Sequence, residues 1–230
     1  MYSHLYFLGS LYFLSWWCVL FFLGKKCRKE ILLMSVIGLV FAPIVQYMHL
    51  IDWWHPAFVN STFLHIEDLV FGFSIVGVST SLYHVFINST EKRYKKLTPS
   101  KKYELSMWIL GMFLLFGLFF LFGVHSFWTS VIALLAMFVL VIIKRHDLAL
   151  PMILSALFLT LISIPFYLYA LHVNPLWINQ EWFVGRLSGY QIFNIPIEEL
   201  SWYFFVGLTF SALWEFMNGL KFISSTKKKM

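Results

Sequence analysis

Two adjacent pairs of acids, Glu67-Asp68 and Glu198-Glu199, each open a long apolar stretch, and together they supply 4 of the chain's 11 acidic residues. Carboxyl groups brought together in apolar surroundings share protons, so one can donate while another accepts. That is acid–base catalysis with side chains alone. A carboxylate at a helix start also has a purely local explanation, since the helix dipole and the free N–H groups favour an anion there. A duplicated pair weakens that explanation, and an ionisable group at membrane depth is costly enough to be read as functional. One carboxyl of each pair can face the interior while its neighbour, about 100° around the helix, faces water or a lipid headgroup. Along the same face, Glu67 is followed by Ser74 and Ser81, and Glu198 by Phe205 and Ala212; the small residues suit close helix packing. Pro196 suits the first turn of the second of these helices.

The elements that must hold these acids follow from composition. With 60% hydrophobic and 12% charged residues over 230 positions, the chain lies well outside the soluble globular class, which carries about 25% charged residues. Apolar runs at 4–24, 31–51, 66–88, 105–124, 127–144, 148–172 and 197–217 each approach the 20 or so residues that cross a bilayer. All of the 17 basic residues except Arg186 fall in alternate connections or the C-terminal tail: Lys25 to Lys29, Lys92 to Lys102, Lys144-Arg145, and Lys221 onward. The positive-inside rule then places the N-terminus outside and the C-terminus in the cytoplasm, with seven spans. The net charge of +6 is thus a matter of topology, and no nucleic-acid footprint is expected. The N-terminus lacks the basic start of a secretory signal peptide. Cys18 and Cys27 are too far apart along a helix to bridge.

The segment 66–84 aligns without gaps on 197–215, matching Glu67 with Glu198, Asp68 with Glu199, and His84 with Glu215. Both copies follow a helix with an internal proline and a histidine near its end, Pro43 with His49 and Pro165 with His172. The predicted architecture is an all-α polytopic bundle of two three-helix repeats, 1–90 and 125–230, joined by a basic loop and linker helix, 91–124. The linker restores the orientation of the second copy, so a pseudo-two-fold along the membrane normal brings both acidic pairs to one cavity. The connections 52–65 and 173–196 are rich in tryptophan (Trp53, Trp54, Trp177, Trp182) and suit either an interfacial aromatic belt or a lid over that cavity.

Other chemistry is less well supplied. His49, His55, His65, Glu67, Asp68 and His172 gather toward one face without a metal-binding spacing, and no metal or cofactor is expected. His84 and Glu215 can pair with each other or reach the interface. A retinal Schiff base needs a lysine inside a helix, and every lysine is in a loop or tail. A proton-coupled transporter or binding protein would call for polar residues through the bilayer centre, where these spans offer little beyond Ser and Thr. There is no phosphate-binding glycine loop, dinucleotide fingerprint or Ser-His-Asp arrangement.

The doubled motif, His65-Ile-Glu-Asp-Leu-Val-Phe and Pro196-Ile-Glu-Glu-Leu-Ser-Trp, resembles the Pro-x-Glu-Glu/Asp motif repeated in the membrane-integral lycopene cyclases. In that family the two three-helix units occur as separate bacterial subunits, as one fused archaeal chain, or as the cyclase domain of a fungal bifunctional enzyme. The chain departs from the pattern at His65, where proline is usual, and at Ser201-Trp202, where phenylalanines are common. The resemblance implies a multi-pass isomerase of the cell membrane. It would cyclise the end group of a linear C40 carotenoid such as lycopene to a β- or ε-ionone ring without a cofactor. Glu67 and Glu198, facing the interior, would be its proton-handling pair, and Asp68 and Glu199 would tune or orient them. Trp54, His65, Trp202 and Phe205 would contact the substrate, with the aromatic faces stabilising a passing cation. Association with other carotenoid-synthesis enzymes would follow from such a role. A hydratase relative would use the same acids and let water capture the cation.

Overall fold

The apolar runs are helices in the computed structural model, which describes residues 4–59, 64–87 and 89–224. Helices α1 (Leu5–Leu23), α2 (Arg28–Asp52) and α3 (Ile66–Phe86) lead to strand β1 (Ser89–Arg93). Then α4 (Lys101–Met112) runs through a π turn at Phe113–Gly117 into α5 (Leu118–Phe122), followed by α6 (Ser126–Lys144) and α7 (Ala149–Val173). The short α8 (Trp177–Glu181) and a hairpin of β2 (Gln191–Ile192) and β3 (Ile195–Pro196) precede α9 (Ile197–Phe210), α10 (Leu213–Asn218) and β4 (Leu220–Ser224). Six helical stretches among the described residues are long and apolar enough to cross a membrane, from Leu5–Leu23 to His146–Val173.

The run expected to form a seventh span, 197–217, is instead broken, because Ala212 leaves helical geometry at φ −131° and separates α9 from α10. A break inside a helical bundle needs partners for the freed backbone. The Thr80 hydroxyl of α3 reaches the Phe210 carbonyl at 3.4 Å, and the Ser79 hydroxyl reaches that of Gly207 at 3.5 Å.

Contacts fall into two groups, with α1 and α2 packed on α3, and α6 and α7 packed on α9. α3 also touches α7 and α9, so it forms the centre of the molecule. Its sequence explains this position, because Gly72, Ser74, Gly77, Ser79, Thr80 and Ser81 are all buried and small enough for helices to approach closely. At the α2–α3 crossing a Cβ on Gly38 would lie 2.1 Å from the Gly72 carbonyl oxygen, so only glycine fits. The α7–α9 crossing is similarly tight, with a Cβ on Gly207 falling 2.7 Å from Cα of Ala156. By contrast the α4–α5 stretch turns Leu105, Ile109, Phe113, Phe120 and Leu121 outward, an apolar surface suited to lipid. Strands β1 and β4 pair antiparallel from Ser89↔Ser224 to Arg93↔Leu220, clasping the end of α3 to the end of α10. Cys18 and Cys27 are not bridged to each other.

Candidate active site

Both acidic pairs lie in first turns, Glu67-Asp68 in α3 and Glu198-Glu199 in α9. Pro196 stands one residue before α9, as its N-cap rather than inside its first turn, and His65 holds the same place before α3. All four carboxyls are at least nine-tenths buried.

Their surroundings differ between the first and second member of each pair. Asp68 and Glu199 line a cavity of about 190 Å³. It continues down α3 along Phe71, Gly72, Ile75 and Val76, and down α9 along Trp202, Tyr203, Val206 and Phe210. These are the i+3, i+4 and i+7 neighbours of the two acids, together with one further residue on each helix, so each carboxyl heads one helical stripe. Glu67 and Glu198 lie off that stripe. Each instead accepts a backbone N–H from the loop before its own helix: Val59 N–H to Glu67 Oε1 and Ser188 N–H to Glu198 Oε1, both at 2.6 Å. Their second oxygens are buried without a hydrogen-bond partner among the described residues. The expectation that Glu67 and Glu198 face the interior is therefore reversed. A carboxylate takes up free backbone donors where the entering loop folds over the helix start, and its neighbour, rotated about 100°, receives the cavity.

Each cavity-facing acid is held by tyrosine. The Tyr6 hydroxyl of α1 donates to Asp68 Oδ1 at 2.7 Å, and the Tyr167 hydroxyl of α7 donates to Glu199 Oε2 at 2.5 Å. The Trp182 indole N–H donates to Glu199 Oε1 at 2.6 Å. These partners are 62, 32 and 17 residues from the acids they hold. No local pattern announces them, although a tyrosine on an apolar span is a candidate donor once a buried acid is suspected.

The two tryptophan-rich connections meet over the cavity and act as its lid. Trp54 and Trp182 form an isolated β-bridge, the Phe183 N–H donates to the Trp53 carbonyl, and the His55 N–H donates to that of Glu181. Trp53, Trp54, Trp177 and Trp182 all contribute to the cavity lining. Of the residues expected to touch a substrate, Trp54 and Trp202 line the cavity. His65 instead stacks on Phe58 with ring centroids 3.4 Å apart, and Phe205 packs at the rim of the core, so neither reaches it. The reason is again the helical phase: Phe205 is six residues from Glu199 and falls on another face. Gln46 and Tyr203 carry no signal in the sequence, and His49 stands out there as a mark of the repeat and as one of a group of possible metal ligands; all three line the cavity. His49 Nε2 contacts Ser130 Oγ at 3.2 Å, while His172, its counterpart in the second copy, is exposed.

On the lid, burial pushes the Glu181 carboxyl above its ordinary range. Its side chain lies outside the cavity lining.

A bundle of apolar helices, six of them long and apolar enough to cross a membrane, encloses an aromatic-walled cavity that Asp68 and Glu199 line, the architecture of an all-α polytopic membrane protein. The lycopene cyclase family model matches residues 125–217, which run from just before α6 into α10 and carry Tyr167, Trp182 and Glu199, and the match supports that family for this chain. No curated protein and no solved structure matches the chain significantly.

Proposed function

We propose that the chain is a fused, two-repeat lycopene cyclase that closes an ionone ring on the end of a linear C40 carotenoid by acid–base catalysis. The carrying observation is that Asp68 and Glu199, equivalent residues of the two motif copies, line one apolar aromatic cavity. The match to residues 125–217 covers the second copy, and the internal repeat extends the same reading to the first.

The reaction is an isomerisation and is redox-neutral. One carboxylic acid adds its proton to the terminal alkene, and the neighbouring double bond attacks the resulting carbocation to close the ring. A carboxylate then removes a ring proton, which restores the alkene and the proton count. We assign both proton transfers to Asp68 and Glu199 and give Glu67 and Glu198 a positioning role through the lid. Tyr6 and Tyr167 orient the acids, and Trp54, Trp202 and Tyr203 face the cation. An apolar cavity of about 150 Å³ accepts a benzene-sized guest. A space of about 190 Å³ therefore suits one end group, with the polyene extending beyond it. We place the enzyme in the cell membrane with its N-terminus outside.

Expression in cells that accumulate lycopene tests the reading by chromatography and mass spectrometry of the pigments. A cyclic product of unchanged mass is expected. Persistence of linear lycopene overturns the reading, and a product heavier by one water assigns a hydratase instead.

A further inference from the structure

At the other end of α3 from Asp68, three side chains from three elements converge. Glu30 lies in the first turn of α2, His84 in the last turn of α3, and Glu215 in α10. They are 3%, 7% and 0% exposed. His84 Nε2 is 3.2 Å from Glu30 Oε1 and 2.8 Å from Glu215 Oε1, and one ligand atom from each of the three residues lies within 4.8 Å of the others. None of them lines the cavity. Asp68 and His84 are 16 positions apart in sequence, about 24 Å along the helix.

We propose that Glu30, His84 and Glu215 bind a divalent transition-metal ion. The imidazole directs a single Nε2 at two carboxylate oxygens; one N–H cannot point along both directions, whereas a cation placed among the three takes a lone pair from each. The other ring nitrogen fits this arrangement, because Nδ1 faces the buried Ser89 hydroxyl at 3.5 Å. A metal-bound histidine commonly fixes its tautomer by such an outer contact. An imidazole with two carboxylates is a donor set for zinc or manganese. The repeat supplies half of the site, since His84 and Glu215 are the aligned last residues of its two copies. Bound there, the ion joins the start of α2 to the ends of α3 and α10, beside the β1–β4 clasp. It acts as a staple for the bundle and is separate from the carboxyl chemistry.

The test uses the full-length protein in detergent. Metal content is measured by mass spectrometry after purification, after chelation with EDTA, and after reloading with Zn2+ or Mn2+ singly followed by desalting, with the melting temperature followed in parallel. About one ion per chain is expected with at least one of the two cations, together with a melting temperature that falls on chelation and returns on reloading. In His84→Ala and Glu215→Gln the retained ion should fall at least about tenfold. A wild-type chain that retains neither cation and melts alike in all conditions overturns the proposal, whether or not the variants fold. Undiminished binding in both variants overturns the assignment to these residues.

Discussion

Trp54 and Trp182, from connections more than a hundred residues apart, pair across a β-bridge with their rings 5.0 Å apart, and each is linked to one of the two cavity-facing acids. Trp54 meets Tyr6 edge-on at 4.7 Å, and Tyr6 donates to Asp68; Trp182 donates to Glu199. The lid and the acids are thus one assembly. A change at the tryptophan pair therefore reaches the surroundings of both carboxyls.

Asp68→Asn and Glu199→Gln should each reduce cyclisation at least about 100-fold, the usual contribution of a positioned acid or base, while leaving the melting temperature nearly unchanged. Glu67→Gln and Glu198→Gln should lower the melting temperature by weakening the bonds to the Val59 and Ser188 N–H groups, and should reduce cyclisation less than Asp68→Asn and Glu199→Gln do. Their cost should be roughly 1–3 kcal/mol of stability, the range for a buried polar group left without its hydrogen-bond partner. Pigment analysis and thermal melting of all four variants separate the roles. Full activity in Asp68→Asn and Glu199→Gln would remove both from the proton transfers.

Tyr6→Phe should slow turnover more than Tyr167→Phe. Glu199 keeps the Trp182 donor when Tyr167 is lost, whereas the Tyr6 hydroxyl is the side-chain donor found on Asp68 among the described residues. Turnover numbers for the two variants, measured at saturating carotenoid, check the order.

Ala133 lies on α6, is 4% exposed and lines the cavity. Ala133→Phe should fill the space for the end group and abolish cyclisation, at an overpacking cost of about 1–3 kcal/mol. Activity assayed beside thermal melting distinguishes a blocked cavity from a collapsed fold.

Glu181 gives the lid a pH dependence of defined sign. Burial raises its carboxyl above the ordinary 4.5, so the folded state holds the proton to a higher pH than the unfolded chain does. The stability it contributes is present below the ordinary value and is lost as pH rises through the raised one. Glu181→Gln should therefore melt higher than the wild type at pH 8, with the gap narrowing toward pH 4. Melting curves across that interval test it, and a gap that widens on acidification contradicts it.

Much of the architecture was legible in the chain. The apolar runs located the helices because a bilayer permits few other spanning structures. The alignment of 66–84 on 197–215 marked the two acidic pairs because both stretches keep the same order of acids and apolar residues. The helical period also set which side chains run with each acid, since Phe71 and Trp202 stand three residues after Asp68 and Glu199 and four after Glu67 and Glu198. What the sequence determined by itself was thus which residues share a face of each helix. Only the tertiary structure decided which face meets the cavity. That choice depends on how α3 is rotated against α2, where the backbones touch at Gly38 and Gly72, and on the loops that bring Val59 and Ser188 to the neighbouring acids. The partners Tyr6, Tyr167 and Trp182, and the meeting of Glu30, His84 and Glu215, arise in the same way. Contacts between helices distant in sequence follow from packing, and packing is set by the whole bundle rather than by any one segment.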